Sequence, residues 1–464
     1  MIGACDMTEN QRFQVNQEIQ ATVDDLSSRG SGVVKVEGYP FFVEGVLPGE
    51  SIRFKVTKVG RKFGNGELIE QLTISPNRVE LTDPIGQEIG TMSLQHLSYD
   101  AQLKYKQDQV KQAFQRIGHF ENIPVQGTLG MEYPWGYRNK AQIPVRLIEG
   151  KLETGFYRRG SHDLVPVENY HIQDPEIDRV ILIVRDILRE FNIEPYNEES
   201  HKGIIRHIIV RRGHYTGEVM IILVTNGDIL PHRKGITQRL VEEVPEMVSL
   251  MQNIQSHRSN VILGRTNRQL WGRDYYEDQM LGLTFRISTQ SFYQVNTPQA
   301  EVLYQTAIDV AGISEADTVL DAYCGIGSIS LALAKQAKKV YAMEIVPEAI
   351  EMAKQNAKLN NLTNTHFEAG AAEKVLPKWQ KEGIQFDVAV VDPPRKGLDE
   401  SFIHTLIEQA PERIVYVSCN PATQARDCRV FVDGGYEIKS VQPVDLFPQT
   451  THVEAVVLMQ KVKE

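Results

Sequence analysis

Cys419 stands near the end of IVYVSCNP, residues 414–421, where a run of strand-forming residues stops at Asn420-Pro421. A cysteine in such a place is either a small buried hydrophobe or a nucleophile at a strand's working end. A second apolar run, FDVAVVDPPRKGL, closes on Asp392 and two prolines. The prolines make a rigid turn without backbone donors, which holds the carboxylate and nearby carbonyls toward a cleft. Neighbouring parallel strands of a doubly wound sheet end on one edge, so Cys419 is expected to face Asp392. The final run, THVEAVVLM, reads as a last strand over about 453–461. In a fold of this kind that strand runs antiparallel to the others, so its beginning, Glu454, is expected on that same edge. Oxygen and nitrogen acceptors own a lone pair and need no thiolate. Carbon-5 of a pyrimidine does: thiolate addition at carbon-6 makes carbon-5 reactive, and a base must later take the carbon-5 proton. Glu454, partly desolvated beside Asp392, is expected to have a raised pKa suited to that task. His452 is a competing base, although a lone histidine also serves to orient a substrate or to pack.

The cofactor is legible upstream. DTVLDAYCGIGSISLALAK, residues 317–335, is an apolar strand, an acid, a turn with Gly325 and Gly327, and a helix. The glycines let a ligand approach the backbone, and the helix start offers free N–H groups. The third glycine of a dinucleotide fingerprint is absent, which favours S-adenosylmethionine (SAM). KKVYAMEIVPEAIEMAKQNAKLNNL follows as a strand ending in Glu344 and a helix with Ile350, Ala353 and Ala357 on one face. An acid at that strand end can accept both ribose hydroxyls. The expected fold class is α/β, a Rossmann-like class I SAM methyltransferase domain over 291–464. Cys324 lies in its glycine turn; Cys5 and Cys428 read as incidental, and no cysteine spacing suggests a disulfide framework or a metal.

Two further regions must position this chemistry, since 464 residues make about three domains. Residues 11–80 alternate with period two between glycine turns, which predicts a small antiparallel β-barrel. Arg53, Lys55, Lys58, Arg61 and Lys62 with Phe54 and Phe63 suit phosphates and stacked bases there, or form a solvated strand face. Residues 90–290 begin with an amphipathic, basic helix over 100–119 and continue as strands with a helix near 175–192, a central α+β region. Its Arg138, Lys140, Arg158, Arg159, Arg211 and Arg212, beside Tyr137, Phe156, Tyr157 and Tyr215, are consistent with an RNA-binding sheet or with structural ion pairs. Net charge is −10, so RNA is held by local patches and not by bulk charge. No run of about 18 apolar residues and no signal-peptide layout occurs, so no membrane partner and a cytoplasmic location are expected; a monomer is expected as well.

This constellation resembles the SAM-dependent RNA uridine-5 methyltransferases, in the branch whose amino-terminal TRAM domain accompanies action on 23S ribosomal RNA. SFYQVN (291–296), DAYCGIGSISL, DPPRKG, SCNP and HVEAVVLM carry the resemblance in that order. It implies that Cys419 is the nucleophile, Glu454 the proton acceptor, and Gln294, Tyr323, Glu344 and Asp392 the SAM contacts. Phe292 and Arg395 are then substrate-binding residues. Several relatives carry four cysteines for an iron-sulfur cluster; the corresponding stretches here, DPIGQEIGTMSLQHL and VPVENYHIQDP, have none, so no cluster is expected. Ala371 stands where many relatives place an acid. The transfer-RNA branch lacks the barrel, which favours ribosomal RNA. Rival readings are an RNA cytosine-5 methyltransferase, which places a cysteine where Arg395 stands, an amino-group methyltransferase, and a non-catalytic RNA-binding assembly factor.

Overall fold

The computed structural model describes residues 12–462, so Cys5 and Gln11 lie outside the described residues. They form two compact units, one of residues up to Gln109 with Gln449–Thr451, the other of the remainder.

The first unit is built on six strands: β1 (Glu18–Thr22), β2 (Asp25–Leu26), β3 (Gly32–Val36), β4 (Tyr39–Val43), β5 (Ser51–Val59) and β6 (Gly64–Gln71). Their order is β1-β5-β6-β4-β3-β2. Alternation on β5 sends Ile52, Phe54 and Val56 inward, where all three are fully buried. Phe54 therefore belongs to the core, against Phe41, and is not a surface for bases. One pair, β4 with β6, is parallel, a departure from the expected all-antiparallel barrel. Two glycines on β6 allow this close approach: a Cβ on Gly64 would lie 2.5 Å from the Phe41 ring, and one on Gly66 2.3 Å from the Phe54 ring. Arg53 is bracketed by Glu70 at 2.7 Å and Glu18 at 3.3 Å on the two flanking strands, so it is a cross-strand tie. Lys58, Arg61, Lys62 and Phe63 remain exposed. A short α1 (Pro84–Glu88) precedes α2 (Tyr99–Arg116), the helix expected over 100–119.

The second unit contains two seven-stranded sheets. The central one uses β7 (Lys140–Ile148), β8 (Lys151–Tyr157), β9 (Leu164–Pro166), α3 (Pro175–Glu190), β10 (Ile205–Arg212), β11 (Val219–Thr225), α4 (Arg233–Glu243), β12 (Met247–Ile254) and β13 (Thr266–Gly272). Strand order is β13-β12-β11-β10-β7-β8-β9. Helix α3 begins at Asp174, whose side chain accepts from Glu176 N, and buries Ile177, Val180, Val184 and Leu188 against Ile143, Val145, Ile208 and Val210. Helix α4 has only Ile236 and Leu240 buried, too few for an apolar stripe, and it was not expected from the sequence. The expected RNA-binding cations divide. Arg211 is buried with its guanidinium on the carbonyls of Ser288 and Ser291, and Arg212 pairs with Asp174 at 2.6 Å. Tyr137 is buried with its hydroxyl on Pro448 O, and Phe156 packs on Tyr170. Tyr157 bonds Glu198 at 3.1 Å. These side chains hold the sheet together, because their partners come from strands and loops distant in sequence.

A ribbon of β14 (Tyr275–Met280) and β15 (Leu283–Ser288) leads into the last sheet. Its elements are α5 (Thr297–Ala311), β16 (Thr318–Ala322), α6 (Ser328–Ala334), β17 (Lys339–Glu344), α7 (Pro347–Leu359), β18 (Thr365–Ala369), α8 (Ala372–Lys381), β19 (Val388–Val391), α9 (Glu400–Gln409), β20 (Arg413–Ser418), α10 (Pro421–Asp433), β21 (Tyr436–Val444) and β22 (Glu454–Lys461). The order β18-β17-β16-β19-β20-β22-β21 reverses direction between β16 and β19, which opens a crevice at their carboxyl ends. Strands β16 to β20 are parallel, and β22 is antiparallel to β20 with Ser418 opposite Ala455. Cores on both faces, with α5 to α7 on one and α8 to α10 on the other, bury strands such as β19 (VAVV) completely.

Candidate active site at the carboxyl edge of the parallel sheet

After β16 the chain turns through Tyr323 at φ 70°, Gly325 at φ 54° and Gly327 at φ 89°. A left-handed tyrosine costs on the order of 1 kcal/mol. It is held there by its N–H and that of Cys324, both donating to Met343 O at 3.0 Å. A Cβ on Gly325 would meet nothing within 4 Å, so the turn faces open space. Glu344, at the end of β17, accepts from Gly325 N at 3.3 Å and Val346 N at 3.0 Å, which fixes its carboxylate beside that space. Ile345 and Val346 follow it with 67% and 45% of their surface exposed, an apolar flank that the sequence reading missed.

Below the turn lies a group of acids. Asp321 is buried, accepts from the Ser330 hydroxyl, and leaves its Oδ1 without a partner among the described residues. Burial raises its pKa to about 7, with Asp392 and Glu344 adding to the effect. Asp392, at the end of β19, is also raised to about 7 by burial. Glu454, the first residue of β22, is raised to about 8 by burial and then by Asp392, with Arg395 opposing. Tyr304 of α5 is buried among them, bonded to Gln294 and pushed upward by burial and the charges of Asp392, Glu454 and Asp321. The backbone carbonyl of Gln294 receives Asn139 Nδ2 at 2.9 Å. Tyr304 was not singled out in the sequence, where it is one apolar position of a helix, and Asp321 was read only as the acid before the turn.

Cys419 closes the group. Ser418 Oγ accepts from Asn420 N at 3.1 Å, and Asn420 caps α10 by accepting from Ala422 N at 3.2 Å, with Pro421 at the first helical position. The Asn420 amide also donates to Arg395 O at 2.9 Å, which ties the cysteine turn to the Asp-Pro-Pro-Arg turn. Asp427, passed over in the sequence, accepts from Leu398 N at 2.8 Å and from the Tyr416 hydroxyl at 2.7 Å. Burial first, then Glu454 and Asp392, push the half-buried Cys419 thiol up to about 11, while Arg395 bonds the thiol and opposes them. Cys324 and Cys428 are both buried and raised well above a free thiol. His452 is exposed beside the Phe447 ring. Phe292 is 66% exposed, on the same loop as the buried Gln294. Among the described residues no cluster of His, Cys, Asp and Glu could hold a metal ion.

The sheet order, the open glycine turn above a buried acid with one unpartnered oxygen, and the acid ending β17 define a class I SAM methyltransferase fold, and these residues fit SAM. Residues 229–462 match the family model of tRNA (Uracil-5-)-methyltransferase, and residues 12–69 match the TRAM domain. An uncharacterized RNA methyltransferase of Enterococcus faecalis is 49% identical over 98% of this chain and 99% of its own. One from Listeria monocytogenes is 50% identical over 96% of this chain and 98% of its own. The crystal structure of Pyrococcus abyssi tRNA (uracil-54, C5)-methyltransferase with S-adenosyl-L-homocysteine superposes with a TM-score of 0.75 at 26% identity, covering 95% of this chain and 100% of that one. The chain belongs to the tRNA (uracil-5-)-methyltransferase family and is a SAM-dependent RNA methyltransferase with a TRAM domain.

Proposed function

We propose that this enzyme methylates carbon-5 of a uridine in 23S ribosomal RNA through a covalent adduct at Cys419, giving 5-methyluridine. The observation that carries the reading is the grouping of Cys419, Glu454, Asp392 and Arg395 within reach of one another's charges. The Cys419 sulfur adds to carbon-6, and the displaced electrons make carbon-5 a nucleophile. SAM, when bound, supplies the methyl group that carbon-5 accepts. Glu454 then takes the carbon-5 proton, the double bond re-forms, and the sulfur leaves. A carboxyl raised to about 8 holds a proton more firmly than an ordinary one, which suits the removal of a carbon-bound proton. Arg395 favours the thiolate of Cys419, so its role is to steady the sulfur beside the substrate. Gln294, Tyr323, Glu344 and Asp392 are assigned to SAM, with Glu344 on the ribose, and Phe292 to the target base.

Residues 11–80 and 90–290 are assigned to holding RNA, and 291–464 to the reaction, in a cytoplasmic monomer. No helix of the described residues is long and apolar enough to cross a membrane. A second reading, transfer RNA as substrate, has a specific observation in its favour. The match to the P. abyssi transfer-RNA enzyme covers 95% of this chain, so possession of the barrel does not by itself separate the two substrates.

The test is methyl transfer from labelled SAM to unmodified 23S ribosomal RNA and to unmodified transfer RNA, with the product nucleoside identified by mass. 5-Methyluridine in 23S RNA supports the reading, and 5-methyluridine in transfer RNA alone moves the substrate. Full activity of Cys419→Ala, or a product methylated on nitrogen, overturns the adduct.

A further inference from the structure

The chain carries 60 acidic and 50 basic residues, and several arginines of its central region are matched to acids. Arg189 meets Glu153 at 2.6 Å, Arg212 meets Asp174 at 2.6 Å, Arg273 meets Glu218 at 2.5 Å and Arg286 meets Glu277 at 3.1 Å. Arg138 and Lys140, at the start of β7, are different. Neither side chain has an ion pair or hydrogen bond among the described residues, and both are half-buried. Lys140 pairs in register with Arg211 on β10, so the two side chains share a face of the sheet. Arg211 cannot help Lys140, because it is itself a cation and its guanidinium already serves Ser288 O at 2.8 Å and Ser291 O at 2.9 Å. Burial, then Arg211 and Arg138, lower the Lys140 pKa to about 7, and no carboxylate acts in the other direction.

This end of β7 is fastened to the loop that enters the active site. Between the two cations, Asn139 donates to Gln294 O and to Thr297 Oγ1, both at 2.9 Å, and its N–H donates to Val295 O at 2.8 Å. Phe292, on that loop, is the exposed aromatic, and Gln294 points into the acid group through Tyr304. An unmatched, half-buried cation is costly to the fold unless an outside anion completes it. Through Gln294 and Tyr304 this loop joins the two cations to the acids around Cys419.

We propose that Arg138 and Lys140 form a phosphate clamp for the RNA backbone beside the nucleotide that enters the Cys419 site. The clamp rests on the reading of the site as an RNA uridine-5 methyltransferase. Its ligand is the phosphodiester and not the base, so the two residues contribute affinity and register without sequence preference. Each cation that neutralises a phosphate releases counterions, and its removal leaves a signature in the salt dependence that a merely structural residue does not.

The experiment uses the full chain, Lys140→Met, Arg138→Gln and the double variant, with Lys354→Met as a surface control. Binding to a single-stranded uridine oligomer of about 20 nucleotides is followed across a salt series, and SAM binding is measured by calorimetry. Loss of each cation is expected to lower the slope of log affinity against log salt by about 0.7 and to weaken low-salt binding several-fold. SAM affinity stays at the native value, KM for RNA rises more than kcat falls, and Lys140→Met melts no lower than the native chain. A double variant with native slope and native RNA affinity overturns the clamp. If instead the slope falls as expected while the native chain makes no 5-methyluridine in any RNA, the clamp stands and the reaction assignment fails.

Discussion

In the central sheet Glu153 lies 2.6 Å from Arg189, and Asp174 2.6 Å from Arg212, whereas at the edge of the parallel sheet Asp321, Asp392 and Glu454 crowd together with Arg395 as the cation that acts on Glu454. The first arrangement neutralises charge and fixes geometry. The second leaves carboxyls raised to about 7 or 8, so protonation there depends on what enters the crevice. Two sheets of one chain thus use the same residue types for opposite ends: matched charge makes a frame, and unmatched charge stores reactivity.

Substitutions at the two sheets should differ in sign as well as in size. The largest effect is expected at Cys419→Ala, which lowers methyl transfer by about three orders of magnitude or more. Glu454→Gln should accumulate a protein-RNA adduct resistant to denaturation, visible as a shifted band. Next comes thiol reactivity. Cys419, pushed up to about 11, should be alkylated at pH 8 about tenfold or more slowly than a free thiol with pKa ~8.5, the rate climbing steadily with pH. In Glu454→Gln that rate should rise, and an unchanged rate would break the proposed charge coupling. Stability gives the third contrast. Because Glu454 holds its proton more tightly when folded, its stabilising effect is present below the ordinary 4.5 and is lost as pH rises through about 8. Glu454→Gln should therefore stabilise the SAM-free protein at pH 9 by about 1–4 kcal/mol in a thermal melt. Asp174→Asn, on the central sheet, should do the reverse, costing about 1–2 kcal/mol by leaving Arg212 without its acid. If both substitutions move the melting temperature in the same direction, the distinction between frame and site is lost.

The acids and the cysteine were legible because parallel strands must end together: once DPPRKG and SCNP were read as strand ends, Asp392 and Cys419 had to share an edge. The same logic, with an antiparallel last strand, brought Glu454 to it. Legibility failed where the answer depended on register. Arg53, Arg211 and Arg212 look like a basic surface along the chain, yet their partners, Glu18, Glu70, Ser288, Ser291 and Asp174, lie in other strands or loops. Phe54 alternated inward for the same reason. Tyr304 and Asp427 were invisible as single polar groups on helices, and only the folded chain gives them neighbours.

The two bonds of Asn420 have a mechanical consequence. One end of this side chain pins the start of α10, and the other grips the carbonyl of Arg395, so the turn carrying the thiol and the turn carrying its cation are yoked. Strain applied to either is passed to the other through this amide, alongside the Thr423 hydroxyl on Arg395 O and the Asp427 carboxylate on Leu398 N. Backbone amides near Leu398 and near Ala422 should then exchange their hydrogens in step, and Asn420→Ala should weaken that coupling while the Asp427 and Thr423 bonds remain. Cys419, the proposed nucleophile, and Arg395 would then open and close as one jaw.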